Sequence, residues 1–200
     1  MPSSTKSEYR MSFSFGGLFL NESIEASRLF SRLGDWRAVR HEMITAGAFR
    51  TESSAKRTVR EVLSRLQTLS DTEIALLAEG NLEEQALLLW LAVCRTYEFV
   101  AEFAAEVLCE RFLSFRVELG YDAFDAFFEA KAEWNPDLSS IRPSTRAKLR
   151  QVLFRMLREA GIISASDEIR RTIPSPRLES LISATEARWL PGVQMTAGGA

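Results

Sequence analysis

Residues 81–94 read NLEEQALLLWLAVC, a polar start followed by nine consecutive apolar residues from Ala86 to Cys94. Asn81 with Glu84 three positions later is the pattern of a capping box at a helix start. Because residues 87–93 are apolar on every side of that helix, the pattern predicts a helix buried all round. The apolar run is far shorter than the ~20 residues that span a bilayer. The stretch therefore predicts the central helix of a soluble protein.

The composition of the whole chain also favours helix. Of its 200 residues, 46% are apolar and 26% are charged, as in an ordinary globular domain. No proline occurs between Pro2 and Pro136, and this excludes collagen-like chains. The polar N-terminus lacks the apolar core of a secretory signal. Cys94 and Cys109 are predicted to be free thiols in a reducing compartment, so we expect a cytoplasmic protein.

Capping residues and glycines divide the rest of the chain into amphipathic helices. Helix starts are predicted at Asn21, Asp35, Ser53 or Ser54, Ser70 (with Glu73), Asp122 and Ser144, and helix ends at Gly34, Gly47, Gly80 and Gly161. Helical pattern after Asn81 continues to about Phe115, as one kinked helix or two. A last short helix is predicted over 177–189.

The predicted fold is mainly α, a multi-helix bundle with helix-turn-helix-like elements. Two β-branched runs, 162–163 and 169–173, flank a turn-like stretch and predict a small C-terminal hairpin, the wing of a winged helix. The domain interpretation has a flexible N-terminus (1–11), a helical bundle (12–135), a winged-helix-like part (136–190) and a flexible tail (191–200). The pair of helices around 36–69 is a second candidate helix-turn-helix.

The formal net charge of −2 averages opposed patches. Residues 142–158 contain six basic residues and no acidic one, and residues 50–66 contain five basic and two acidic residues. Residues 98–133 contain nine acidic and three basic residues, with Glu98, Glu102, Glu106 and Glu110 stepping by four. Basic helix faces suit the phosphate backbone of a duplex, because Lys and Arg contacts release its condensed counterions.

Helical projection separates the basic side chains from the apolar face of each helix. In the helix from Ser144 to Ala160, the outer face carries the predicted phosphate and base contacts, while Arg146 and Arg150 flank the apolar side. Arg170 and Arg171 would extend the surface along the wing, and Ser144 and Gln151 are expected to reach base edges. The predicted DNA contacts are Lys56, Arg57, Arg60, Arg142, Ser144, Arg146, Lys148, Gln151, Arg155, Arg158, Arg170 and Arg171.

Enzyme motifs are not evident, so we expect neither catalysis nor a cofactor. His41 is the single histidine, and two cysteines fifteen positions apart do not form a zinc site. Gly16-Gly17 lacks the Gly-Lys-Ser/Thr of a phosphate loop. Glu129 and Lys131, with Asp122 or Asp125, faintly resemble a nuclease set, but on a helix the first two diverge by about 200°.

Several segments in order resemble the BrxA family, a small component of the BREX bacteriophage-exclusion systems. They are SFGGLFLNES (14–23), SSAKR (53–57), EQA (84–86), LWLAVCR (89–95), FFEAKAEW (127–134), PSTRAKLR (143–150) and LREAG (157–161). The resemblance covers about residues 12 to 181. It implies a helical, non-enzymatic, DNA-binding component of an anti-phage defence island, and similarity to the NusB antitermination fold.

Three functions remain open from the sequence. The first is a double-stranded DNA-binding accessory protein of phage defence, with backbone contacts from the basic helix faces. The second is a NusB-like RNA-binding adaptor, although RNA readers usually expose aromatic rings and those here, Phe154 apart, fall mostly on core faces. The third is an assembly adaptor whose acidic face docks another protein of the BREX system.

Overall fold

Helix α5 (Leu82–Thr96) lies at the centre of the molecule, as its sequence predicts. The Asn81 side chain accepts a hydrogen bond from the Glu84 N–H at 3.0 Å, and the Glu84 carboxylate accepts one from the Asn81 N–H at 3.0 Å. Every residue from Ala86 to Cys94 is buried. Helices from both halves of the chain pack on α5, so its apolar surface lies at the centre of a single core.

The computed structural model describes residue 13 and residues 15–46 and 51–193. Over these residues the fold is mainly helical, which confirms the predicted class. In addition to α5, the helices are α1 (Leu20–Leu33), α2 (Trp36–Thr45), α3 (Glu52–Leu66), α4 (Asp71–Glu79), α6 (Glu98–Phe103), α7 (Glu110–Leu113), α8 (Tyr121–Ala132), α9 (Pro136–Ser139), α10 (Pro143–Glu159), α11 (Pro176–Glu179) and α12 (Ala184–Ala187). None of them is long and apolar enough to cross a membrane.

Local capping signals account for several helix ends. The caps predicted at Asn21, Asp122 and Ser144 are wrong, because α1, α8 and α10 begin one residue earlier and have no side-chain cap. Gly34 ends α1 with a φ of 67°, a left-handed conformation that glycine adopts without strain. Asp35 caps α2 by accepting a hydrogen bond from the Ala38 N–H, and Ser70 starts α4 with the predicted capping box. Helix α3 starts earlier than predicted because Thr51 caps it. The predicted end of α2 at Gly47 lies outside the described residues.

The long helical pattern after α5 is broken at Tyr97 and continues through a π-helical segment. Tyr97 has extended backbone, with φ −123° and ψ 102°, and α6 begins at the next residue. Residues Ala104–Cys109 form the π segment that joins α6 to α7. The two-helix alternative of the sequence interpretation is therefore the one observed, with an additional change of helical register in the second half.

The predicted C-terminal wing is wrong. In the described part of the chain the backbone forms isolated antiparallel bridges, Ile163 with Ile169 and Glu118 with Glu168, and no strand. Both isoleucines are nearly fully buried, so their β-branched side chains pack in the core rather than along a hairpin. Beyond the bridge the chain turns away, because the Thr172 N–H donates to the Pro191 carbonyl at 2.8 Å.

The end of the described chain is tied down by side chains of α5. The predicted helix over 177–189 is instead two single turns, α11 and α12. The Trp90 indole N–H donates to the Trp189 carbonyl at 3.0 Å, and Arg95 pairs with Glu186. The division into two parts near residue 135 stays a prediction, and the tails 1–12 and 194–200 lie outside the described residues.

Candidate nucleic-acid interface

The outer face of α3 carries three predicted contact residues, Lys56, Arg57 and Arg60, and all three are exposed. Lys56 pairs with Glu52 one turn earlier, at 2.5 Å, in a pair that is itself exposed. The guanidinium of Arg57 lies 4.1 Å from the centroid of the Phe15 ring. This cation–π contact restricts the Arg57 side chain while its charge stays at the surface.

The start of α10 carries a second exposed polar surface. Arg142 precedes the helix, and Ser144, Lys148 and Gln151 follow on its outer side. Neither Arg142 nor Lys148 forms an ion pair with a carboxylate of the described residues. Two full positive charges and two neutral hydrogen-bonding groups therefore face solvent along this side of α10.

Arg146 and Arg150 lie against α8 instead. Arg146 bonds to Asp125 at 3.0 Å and to Glu129 at 3.0 Å, and its guanidinium covers the Phe128 ring at 4.8 Å. Arg150 also pairs with Asp125. Because these pairs join α8 to α10, Arg146 holds two helices together, and its Nε and Nη2 donors are occupied within the protein.

Arg155 and Arg158 are exposed but each has an acidic partner. Arg155 donates to Glu159 at 2.9 Å, and Arg158 makes a two-pronged pair with Asp167 at 2.8 and 2.9 Å. Their side chains are 64% and 36% exposed. Exposed pairs of this kind contribute about 0–1 kcal/mol, so a phosphate group can replace the carboxylate at small cost.

Arg170 and Arg171 lie on the bridged turn that replaces the predicted wing. Both side chains are exposed, and neither forms an ion pair within the described residues. The Arg170 N–H donates to the Ile162 carbonyl at 2.8 Å, which fixes the backbone of the turn next to the end of α10.

Residues 15–18, which we call the N-terminal strap, connect the two basic helices. The Gly17 carbonyl accepts a hydrogen bond from Arg65 of α3 at 2.7 Å, and the Leu18 N–H donates to Glu159 of α10 at 2.6 Å. A Cβ at Gly17 would lie within 3 Å of the Glu159 carboxylate, so a larger residue there would require the Glu159 side chain to move. Four residues reach at most about 11 Å between their first and last Cα atoms, which brings Arg57 of α3 close to the last turn of α10.

Sequence analysis missed a groove between α2 and α3. Its volume is about 220 Å³, and Arg37 and Arg40 of α2 face Arg60 of α3 across it. Counting charge along the chain did not reveal these α2 residues, because they lie outside the most basic segments. Their spacing of three on an amphipathic helix was the available signal.

The acidic stripe is partly neutralised. Lys131 of α8 bonds to Glu106 at 2.8 Å and lies 3.1 Å from Glu102, while Glu98 and Glu110 stay exposed. The same contact points Lys131 away from Glu129, which pairs with Arg146. The faint nuclease-like set is therefore not assembled.

Side chains that could bind a metal ion are not clustered in the described residues. No group of three or more His, Cys, Asp or Glu side chains there is placed to hold a metal ion. Burial raises the pKa of the Cys94 thiol and raises that of Cys109 to about 11. Both thiols are protonated at neutral pH and are weak nucleophiles.

The exposed aromatic residues differ from those expected. Phe154 is fully buried, whereas Phe115 is 92% and Trp134 is 86% exposed. Phe115 has a φ of 57°, which is rare for a bulky side chain.

Comparison with known proteins identifies relatives of this chain. The family model described as BrxA matches residues 7–186 of this chain. A protein named BREX protein BrxA from Bacillus cereus (strain H3081.97) is 31% identical over 142 residues, which are 70% of each chain. A protein of the same name from Escherichia coli O9:H4 (strain HS) is 30% identical over 125 residues, 62% of this chain and 57% of that one.

A solved structure supports the fold. The crystal structure of an uncharacterized protein from Magnetospirillum magneticum superimposes with a TM-score of 0.74 at 20% sequence identity. The match covers 86% of this chain and 90% of the other. At this identity the likeness concerns the helical architecture alone.

Proposed function

This chain belongs to the BrxA family, and we propose that it is a non-enzymatic, DNA-binding component of a BREX-type anti-phage defence system. The relatives carry the name BREX protein BrxA, so other proteins of that system are its expected partners. The observation that carries DNA binding is the placement of two basic helices, α3 and α10, on either side of the strap.

The proposed contacts are mainly to phosphates. Lys and Arg side chains on a rigid helix neutralise the DNA backbone and give binding with little dependence on sequence. Arg146 is left out of the set because its donors hold Asp125 and Glu129. Ser144 and Gln151 are retained as groups for base edges. The phosphate set is Lys56, Arg57, Arg60, Arg142, Lys148, Arg155, Arg158, Arg170 and Arg171.

A double variant on the two sides of the strap tests this proposal. Arg57→Gln with Arg155→Gln removes one charge from each helix and leaves the buried core intact. We expect its affinity for a short labelled DNA duplex to fall by on the order of ten-fold, because two phosphate contacts are lost. Fluorescence anisotropy measures the dissociation constant.

The control removes the same charge elsewhere, in Arg177→Gln with Arg188→Gln on the C-terminal segment. Equal affinity of both double variants would contradict the strap-centred surface. Competition with single-stranded RNA separates the second candidate, since stronger displacement by RNA than by unlabelled duplex would favour an RNA-binding adaptor.

A further inference from the structure

The groove between α2 and α3 concentrates positive charge that the protein does not neutralise. Arg37, Arg40 and Arg60 line it and are exposed, and none of the three forms an ion pair with a carboxylate of the described residues. The complete lining is Trp36, Arg37, Arg40, Arg60, Leu63, Ser64 and Gln67.

The acidic groups of the two helices are committed to other partners. Glu42 of α2 pairs with Arg32 of α1 at 2.5 Å. Glu61 of α3 pairs with the buried Arg65 at 2.8 Å and accepts a hydrogen bond from Tyr97. Glu52 pairs with Lys56 near the other end of α3. The three guanidinium groups therefore have no free carboxylate of α2 or α3 nearby to neutralise their charge.

The floor of the groove is rigid. One face of the Trp36 indole stacks on Phe30 of α1, with ring centroids 4.0 Å apart and an interplanar angle of 17°. Leu63 is 6% exposed and anchors the α3 side in the core. A fixed apolar floor displaces water from one side of the arginines, which strengthens their interaction with an anion.

The arginines of the groove differ from those of α10 in their ion pairing. On α10, Arg142 and Lys148 are also unpaired within the described part of the chain, but Arg146, Arg155 and Arg158 are each paired with carboxylates, so a phosphate must displace an existing partner at those three residues. Arg37, Arg40 and Arg60 have no such partner to lose. Guanidinium groups bind phosphate oxygens through two parallel hydrogen bonds, so three of them form a suitable clamp.

The size of the groove limits its ligand. Sites that enclose a small molecule usually measure about 300–1,000 Å³, whereas this groove measures about 220 Å³. That volume accommodates a phosphate group of a chain that passes across the opening, and not a fully enclosed nucleotide. Arg57, which covers Phe15 of the strap, lies one helical turn from Arg60 on α3.

We infer that the α2–α3 groove is the principal phosphate-binding site of this protein, in which Arg37, Arg40 and Arg60 hold the backbone of duplex DNA. The inference rests on the proposed DNA-binding function and adds to it the surface that contributes most to DNA affinity. The DNA path then runs from the strap across α3 to α2, and α10 supplies secondary contacts.

The test is the triple variant Arg37→Gln, Arg40→Gln and Arg60→Gln. We expect duplex DNA to bind about 30-fold more weakly or worse, and the slope of log K against log salt to become less negative by about three. The matched control, Arg116→Gln with Arg177→Gln and Arg188→Gln, removes three exposed arginines elsewhere and is expected to change the affinity less than about three-fold. The variant Arg37→Lys, Arg40→Lys and Arg60→Lys keeps the charge and is expected to bind with intermediate affinity.

The possible outcomes distinguish failure of the groove inference from failure of the proposed DNA-binding function. If the wild type binds duplex DNA and the groove variant binds equally well, the groove inference is overturned and DNA binding stands. If the wild type does not bind duplex DNA, both are overturned. Displacement of DNA by micromolar ATP, but not by equal inorganic phosphate, would assign the groove to a free nucleotide and overturn the inference. A thermal melt followed by circular dichroism verifies that each variant is folded.

Discussion

Replacement of Arg95 by methionine is expected to lower the free energy of unfolding by about 3–5 kcal/mol, because it leaves two buried carboxylates without a cation. Arg95 donates to Glu73 at 2.6 and 2.9 Å and to Glu186 at 2.5 Å. It also donates to the Thr68 carbonyl at 3.0 Å. One guanidinium therefore joins α4, α5 and α12.

The two carboxylates are also the caps of their own helices. Glu73 accepts a hydrogen bond from the Ser70 N–H at 2.7 Å, and Glu186 accepts one from the Ser183 N–H at 2.8 Å. Loss of Arg95 therefore destabilises the starts of α4 and α12 in addition to the ion pairs. Urea unfolding followed by far-UV circular dichroism measures the change.

The effect of Arg95→Met is expected to depend on pH. Burial alone would raise the pKa of Glu73, but hydrogen bonds from Arg95 and Ser70 hold it below its ordinary 4.5. Burial likewise opposes the hydrogen bonds from Ser183 and Arg95 that lower the pKa of Glu186. Groups of this kind stabilise the fold above their unfolded pKa and lose that contribution as the pH falls. The wild type is therefore expected to lose stability below about pH 4.5.

In Arg95→Met, burial without a cation favours the protonated carboxyl groups. The difference between the two proteins is consequently largest at neutral pH and shrinks below about pH 4.5. The matched control is Arg32→Met, since Arg32 and Glu42 form an exposed pair with 62% and 46% side-chain exposure. That change is expected to cost less than about 1 kcal/mol. Similar losses for both variants would contradict a structural role for the Arg95 network.

Replacement of Trp90 by alanine is expected to cost about 3–5 kcal/mol through the cavity that it leaves. Trp90 is fully buried in α5, and its indole N–H holds the Trp189 carbonyl at 3.0 Å. Trp90→Phe keeps most of the apolar volume but leaves that carbonyl unpaired, at a cost of about 1–3 kcal/mol. Both variants are also expected to increase hydrogen exchange in residues 176–193, which Trp90 ties to the core.

The control for Trp90 is Trp134→Ala, because Trp134 is 86% exposed. Its unfolding free energy is expected to stay within about 0.5 kcal/mol of the wild type. Unchanged exchange in residues 176–193 of Trp90→Ala would show that other contacts hold the C-terminal segment.

Several features set by residues close in sequence were predictable. The capping boxes at Ser70 and Asn81 and the left-handed Gly34 each depend on side chains within three or four positions. The prediction of a wing was wrong because packing in the core, and not local sequence, decides the structure there. Ile163 and Ile169 suit a strand locally, but the core uses their apolar surface and leaves a single bridge between them.

In the candidate site, too, local geometry was predictable and contacts made by tertiary packing were not. Helical projection correctly placed Lys148 and Arg57 at the surface. It could not reveal that Arg146 is paired with Asp125, 21 residues earlier, because tertiary packing of α8 against α10 makes that contact. The convergence of α2 and α3 arginines in one groove likewise depends on how two helices pack.

The salt dependence of DNA binding tests the central claim most directly. Anisotropy titrations of the wild type with duplexes of unrelated sequence, over a range of salt concentrations, give the slope of log K against log salt. Four or more phosphate contacts predict a slope of about −4 or steeper, similar for every sequence. A slope near zero, or no binding at low salt, would contradict a basic surface that holds the DNA backbone.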